Sequence, residues 1–454
     1  MRTLRNDFIR DYTDCQLRLG MLRWLVSFIP ETGRGLDGKG LLTTFESAIY
    51  RSSANEGTVL SDHFLAAVNA GLSPHLGILR ARKSGPPRPN SRRSGGRSAT
   101  QDILSWASAM SLLTSPSIRL TYSLTKDGYV YRQLIGEDAA ERFNSGRENP
   151  FLLSPIERRF LFVQELSVDS AVLALIEQIA EKYSPEAILR RVGSEGKDLV
   201  RILISCFRGL EEYLQKERQT ILARDLGGYL QYLAVSIGDK KASQRIPTWT
   251  RAKPGDKESS PSDSFKMAKH RLTPRLEHLT DYGFLAPCVA HNETGEIHEF
   301  CWRVTKSGYA AAAFLKALDA DARFTPANDG APVTRVRPFL INHLMGFLAA
   351  AEDISVRAEN LSDADMLEAL VWAYQRCRMK YGYSEFLGIA TVAGLHALEA
   401  GKRIEVAMMH TFLREKVPNL IALKDEIHFA GRLEPESMHV RISDKLINAI
   451  PSLQ

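Results

Sequence analysis

Lys266, Lys269, Arg271, Arg275 and His278 gather cations and an imidazole in a short stretch, with the hydroxyl of Thr273 among them. The chemistry they offer is recognition of a polyanion. Arginine and lysine hold phosphate oxygens, and arginine or histidine near the start of a helix can reach base edges in a DNA groove. Bond-making chemistry finds weaker material. Gly33-Arg34-Gly35-Leu36-Asp37-Gly38-Lys39 fits the spacing of a phosphate-binding loop, but Gly40 stands where a Ser or Thr should hold magnesium. That loop should also follow a buried strand, and Ile29-Pro30-Glu31-Thr32 follows a helical pattern instead. A turn between helices is the better reading, and a nucleotide-binding enzyme stays a distant third. Cys288, His291, His298 and Cys301 bring four zinc-type donors together, yet strand alternation does not force them to converge, so they read as ordinary strand residues. No catalytic residue, metal site or cofactor is expected.

The elements that must position the cations read clearly. Thr273 suits the N-cap and Pro274 the first turn of a helix through Tyr282. Leu276 and Leu279 mark its apolar side, leaving Arg275 and His278 pointing away from it, and Gly283 ends it. Pro287 to Ala290 and Glu299 to Val304 flank Asn292-Glu293-Thr294-Gly295, a hairpin pattern. Thr305-Lys306-Ser307-Gly308-Tyr309 then caps a last helix through Lys316. Helix, two-stranded wing and capped helix are the grammar of a winged helix-turn-helix.

Arg275-Leu276-Glu277-His278-Leu279-Thr280-Asp281-Tyr282-Gly283-Phe284-Leu285, followed by Arg303-Val304-Thr305-Lys306-Ser307-Gly308-Tyr309, resembles the recognition helix and wing of bacterial winged-helix DNA-binding proteins of the MarR/PadR kind. The resemblance covers about fifty of 454 residues. It implies that Arg275 and His278 read bases, while Lys266, Lys269 and Arg271 touch phosphates. Glu277 and Asp281 would repel DNA at the same face, which speaks for a winged helix that binds protein instead.

Charge supports a polyanionic partner. The chain carries a net +6, and residues 1–100 alone hold 15 Lys/Arg against 8 Asp/Glu. Arg80, Arg82, Lys83, Arg88, Arg92, Arg93 and Arg97 form a tract without one acid, suited to salt-sensitive, sequence-independent phosphate contact. Its Pro/Gly/Ser content cannot bury a core, so a disordered tract is expected at 80–98. Hydrophobic residues at 44% and charged residues at 25% describe an ordinary globular chain. No apolar run approaches the ~20 residues of a membrane span. The five scattered cysteines and the charged Met1 to Arg10 segment give the expectation of a reducing, cytoplasmic and nucleoid-associated setting.

The same grammar recurs along the chain. Leu124-Thr125-Lys126-Asp127-Gly128-Tyr129 parallels Val304 to Tyr309, which points to a diverged internal repeat. Asp127-Gly128 is also compatible with a hairpin turn; the parallel favours a Thr-capped helix. Pro185 to Arg191 reads as helix. Near the end, Glu426 to Ala430 and Met438 to Ile442 around Gly431 read as a third, decayed wing. The expected fold is mainly α with small β-wings, as tandem winged-helix domains joined by basic linkers. An N-terminal unit spans 1–150, a helical block with the central winged helix 151–318, and a C-terminal helical domain 335–454. The expected function is non-catalytic binding of double-stranded DNA in a bacterial DNA-transacting system, phage defence or chromosome maintenance, or in transcriptional regulation. Protein partners and a homodimer fit that layout. The alternative is a kleisin-like assembly subunit whose winged helices bind protein.

Overall fold

Five helices start on a hydroxyl whose oxygen accepts a backbone N–H three residues on: Thr125 from Gly128, Ser154 from Glu157, Thr305 from Gly308, Ser362 from Asp365 and Ser443 from Leu446. Each cap satisfies an amide that the helix itself cannot, worth about 1 kcal/mol. In the computed structural model the described residues are 19–29, 36–37, 103–114, 121–145, 147–148, 152–169, 171–190, 193–216, 230–234, 272–291, 297–318, 324–326, 336–338, 343–356, 361–378 and 383–450, a few single positions excepted. They are mostly helical, with small antiparallel sheets.

The first block contains α1 (Gly20–Ser27), β1 (Leu36–Asp37), α2 (103–109), β2 (Thr121–Tyr122), α3 (Lys126–Ile135) and α4 (Ala139–Asn144). β2 pairs antiparallel with β1, and just beyond β2 Leu124 bridges to Leu113. After α5 (Pro155–Val168) the second block runs α6 (Ala171–Lys182), β3 (Leu189–Arg190), α7 (Gly193–Lys216), α8 (272–281), β4 (Leu285–His291), β5 (Ile297–Val304) and α9 (Lys306–Ala317). Its sheet has the order β3-β5-β4. A ribbon of β6 (Phe324–Pro326) and β7 (Val336–Pro338) and then α10 (Leu344–Ala351) lead to the third block. That block comprises α11 (Asp363–Cys377), β8 (Ser384–Glu385), α12 (Phe386–Glu399), α13 (Val406–Thr411), β9 (Ile427–Gly431), β10 (Met438–Ile442) and α14 (Asp444–Ala449), in a sheet ordered β8-β10-β9. α13 continues through a π-helical turn, Phe412–Lys416, and a 3-10 turn, Val417–Asn419, into a short helix, Ile421–Lys424, before β9. In the second and third blocks the last strand lies between the first strand and the strand that precedes it; in the first, β2 pairs with β1 and the bridge just beyond it reaches Leu113.

The repeat seen in sequence extends to backbone detail. At the end of α2, Leu112 donates its N–H to the Ala107 carbonyl at 2.9 Å; at the end of α8, Phe284 donates to Leu279 at 2.8 Å. Thr125 N–H returns to Leu112 O at 3.2 Å, and Thr305 N–H to Phe284 O at 3.0 Å. The turn residue is left-handed in both, Ser111 at φ 56° and Gly283 at φ 82°. Gly128 and Gly308 lie so close to those carbonyls that a Cβ would overlap the oxygen of Leu112 or Phe284. Asp127-Gly128 is thus part of a Thr-capped helix. Ser443 repeats the tie in the third block, its N–H bonded to Glu426 O at 2.9 Å.

Two expectations are corrected. Pro185 to Arg191 is not a helix: Leu189 and Arg190 form β3, paired with Trp302 and Cys301 of β5. Leu36 and Asp37, read as part of a turn, form a strand; the rest of the glycine-rich stretch, with Lys39, lies outside the described residues.

α5 is the spine that the three blocks share. Phe160 stacks on Tyr131 of α3 at 5.6 Å, and Phe162 meets Tyr282, Phe284 and Phe347 at 4.8, 5.7 and 5.6 Å between ring centroids. Its Glu157 and Arg159 side chains are buried in ion pairs. Glu157 accepts from Arg23 Nε at 2.7 Å, and Arg159 Nη2 donates to Glu352 at 2.7 Å. Arg159 Nη1 also donates to the Leu395 carbonyl of α12 at 3.4 Å. Burial lowers the Arg23 guanidinium, but the Glu157 and Glu148 carboxylates more than offset it and leave it raised.

Candidate functional site

α8 holds the residues that sequence reading singled out, and it offers them no groove. Every residue from Leu272 to Leu279 is buried. Leu272 is already helical, so Thr273 lies within the helix rather than before it, 6% exposed. Arg275 and His278, expected on the solvent face, are each 0% exposed. A side chain enclosed on all sides cannot reach a base edge.

What encloses them is a polar seam. Arg275 Nε donates to Asp169 Oδ2 at 2.7 Å, and its guanidinium lies 5.3 Å above the Phe207 ring of α7. His278 Nδ1 meets Glu165 Oε1 at 2.5 Å, and the second oxygen of Glu165 accepts the Tyr282 hydroxyl. Burial pushes the Asp169 carboxyl up to about 6, although Arg275 pulls it down. Glu277 is also buried, at 5% exposed, and Asp281 accepts the backbone N–H of Leu19 at 2.8 Å. The acidic residues that would repel DNA therefore face protein too.

The remaining face of His278 is closed by Trp106 of α2, its ring 4.9 Å away and 4° from parallel. Trp106 and His278 occupy the same place in the two repeats, each five residues before the left-handed turn residue. The two repeated helices thus meet through equivalent positions.

Trp106, Glu165, Asp169 and Tyr282 were not anticipated. A signal for two of them exists in the sequence. Glu165 and Asp169 stand four apart at the end of one helix, matching Arg275 and His278 three apart on another. Complementary charges at one-turn spacing on two helices mark a pair that can bury together.

Lys266, Lys269 and Arg271, and the whole tract of Arg80, Arg82, Lys83, Arg88, Arg92, Arg93 and Arg97, lie outside the described residues. So do the side chains of His291 and His298. Among the described residues no group of three His, Cys, Asp or Glu is placed to hold a metal ion, and no helix is long and apolar enough to cross a membrane.

The third block presents the opposite case. Past α12, the segment of α13 and its π turn exposes Met408, Thr411, Arg414, Glu415 and Lys416. Its surroundings are close to neutral, with eight Lys/Arg against seven Asp/Glu from Gly401 to Gln454. Compared with protein-family models, curated proteins and solved structures, the chain matches none.

Proposed function

We propose that the chain is a non-catalytic assembly subunit of a DNA-transacting system, built from three winged-helix units around the α5 spine. The strand order common to the second and third blocks and the capped exit helices of all three support the winged-helix reading. One observation carries the functional choice: Arg275 and His278, the residues best suited to read DNA, are consumed in the ion-paired seam between two units. The first two units act as a rigid pair and the third turns its α13 face to a protein partner. Double-stranded DNA is met without sequence preference by the arginine-rich tract at 80–97, whose seven cations and absence of acid suit counterion release.

A second reading, sequence-specific DNA binding through the third unit, is favoured by the exposure of α13. Its near-neutral charge weighs against it, because groove binders surround the reading helix with cations. Fluorescence anisotropy with random and selected duplexes across a salt series separates the two. The assembly reading expects binding at low salt that ignores sequence. In Arg92→Ala/Arg93→Ala/Arg97→Ala the salt slope should shrink by about 0.9 for each phosphate the tract no longer neutralises. Sequence-specific binding that Thr411→Ala abolishes while the tract variant leaves it intact would reinstate the DNA-reading function.

A further inference from the structure

The β4–β5 ladder sets Cys288 directly opposite Cys301. Directly opposed antiparallel residues have Cα atoms about 4.5–5.5 Å apart, inside the roughly 4.4–6.8 Å that a disulfide spans. Both residues are thiols in the structure. They differ in access: Cys288 is partly exposed, whereas Cys301, on the central strand, is 1% exposed. Arginines lie on both sides. Arg303, two residues along β5, stands opposite Ala286 and so diagonal to Cys288, and Arg190 of β3 stands opposite Cys301 on the other side. The remaining described cysteines, Cys206 and Cys377, sit on the separate helices α7 and α11.

We propose that Cys288 and Cys301 are a redox modification site, closing reversibly into a cross-strand disulfide when the chain meets a hydroperoxide. The partly exposed Cys288 attacks as thiolate, breaking the O–O bond; its sulfur becomes a sulfenic acid and the peroxide leaves as water or alcohol after taking up a proton. Cys301 then attacks that sulfur, the S–S bond forms, and the sulfenic hydroxyl departs with a proton as a second water. Two thiols lose two electrons together and the peroxide gains them. Arg303 supplies the positive charge that supports a thiolate at Cys288, although burial holds that thiol above its ordinary range. Cys288 is the attacking residue and Cys301 the resolving one because only the first can be approached from solvent.

The test uses the full chain, reduced, exposed to hydrogen peroxide, alkylated under denaturing conditions and cut with an endopeptidase specific for glutamate. Glu293, Glu296 and Glu299 lie between the two cysteines, so cleavage separates them unless sulfur joins them. The expected product is a linked peptide pair lighter by two hydrogens than its parts and split by reductant. In Cys301→Ser the linked pair is lost and Cys288 stops as a sulfenic acid that a cyclic diketone traps. In Cys288→Ser, Cys301 remains alkylatable. Wild-type protein that yields two separately alkylated peptides after oxidation, or a linkage from Cys288 to Cys206, Cys377 or a second chain, overturns the proposal. That wild-type measurement decides even where a variant fails to fold.

Discussion

α8 and the α13 segment stand at the same point in two blocks of the same topology, after a strand and a helix and before a hairpin. Their surroundings are opposite. α8 is buried from Leu272 to Leu279 and carries its charges in ion pairs, whereas the α13 segment exposes Met408 and Thr411 beside charged neighbours. The difference lies outside each block: α2 and α5 lie against α8 through Trp106 and Glu165. Topology fixes where such a helix sits, and neighbours decide whether it can touch anything else.

Breaking the seam gives the largest expected effect. Arg275→Met leaves the buried Asp169 carboxylate unpaired and should cost about 3–5 kcal/mol, read by urea denaturation. Adding Asp169→Leu should recover most of that loss. A single variant as stable as the wild type would mean that Arg275 is not enclosed as described.

The same pair gives a pH signature. The Asp169 carboxyl is raised in the folded state from 3.8 to about 6, so the folded chain holds the proton more tightly than the unfolded chain. Its favourable contribution is complete below about pH 4 and is lost as pH rises toward 6. Wild type minus Asp169→Asn, followed by thermal denaturation, should show that decline and no further change above it. Asp365 runs the other way. Hydrogen bonds from Lys402 and Ser362 lower it to about 2, so its contribution is present above pH 4 and fades as pH falls to 2.

Gly308→Ala and Gly128→Ala sharpen the repeat. Each adds a methyl group where a backbone carbonyl already stands, and each should destabilise by about 1–3 kcal/mol. Two matching losses would confirm the shared junction; a neutral Gly128→Ala would dissolve it. The smallest effect belongs to the open helix. Thr411→Ala should change stability by no more than about 0.5 kcal/mol in the same denaturation experiment, because that side chain is exposed.

Much of the fold could be read from local chemistry. Thr125 and Thr305 announce their helices because a cap depends only on the next three residues. The hairpin ending at Val304 and the one around Gly431 were legible for the same reason. The direction of Arg275 was not. Apolar periodicity assigns a charged residue to the outside by default, and the partners that turn it inward, Asp169 and Glu165, lie 106 and 113 residues from Arg275 and His278. β3 escaped for a related reason. Two residues cannot show alternation, and the strand that completes them is β5, far along the chain.

Warming acts unevenly on such a molecule. Charged groups become less costly to withdraw from water as temperature rises, while the stabilisation from each unit of apolar area levels off. The joints at Asp169–Arg275, Glu157–Arg23 and Glu352–Arg159 are of the first kind, and all three engage α5 or the residue just after it. Those three joints are therefore expected to lose less strength on warming than the apolar contacts around them.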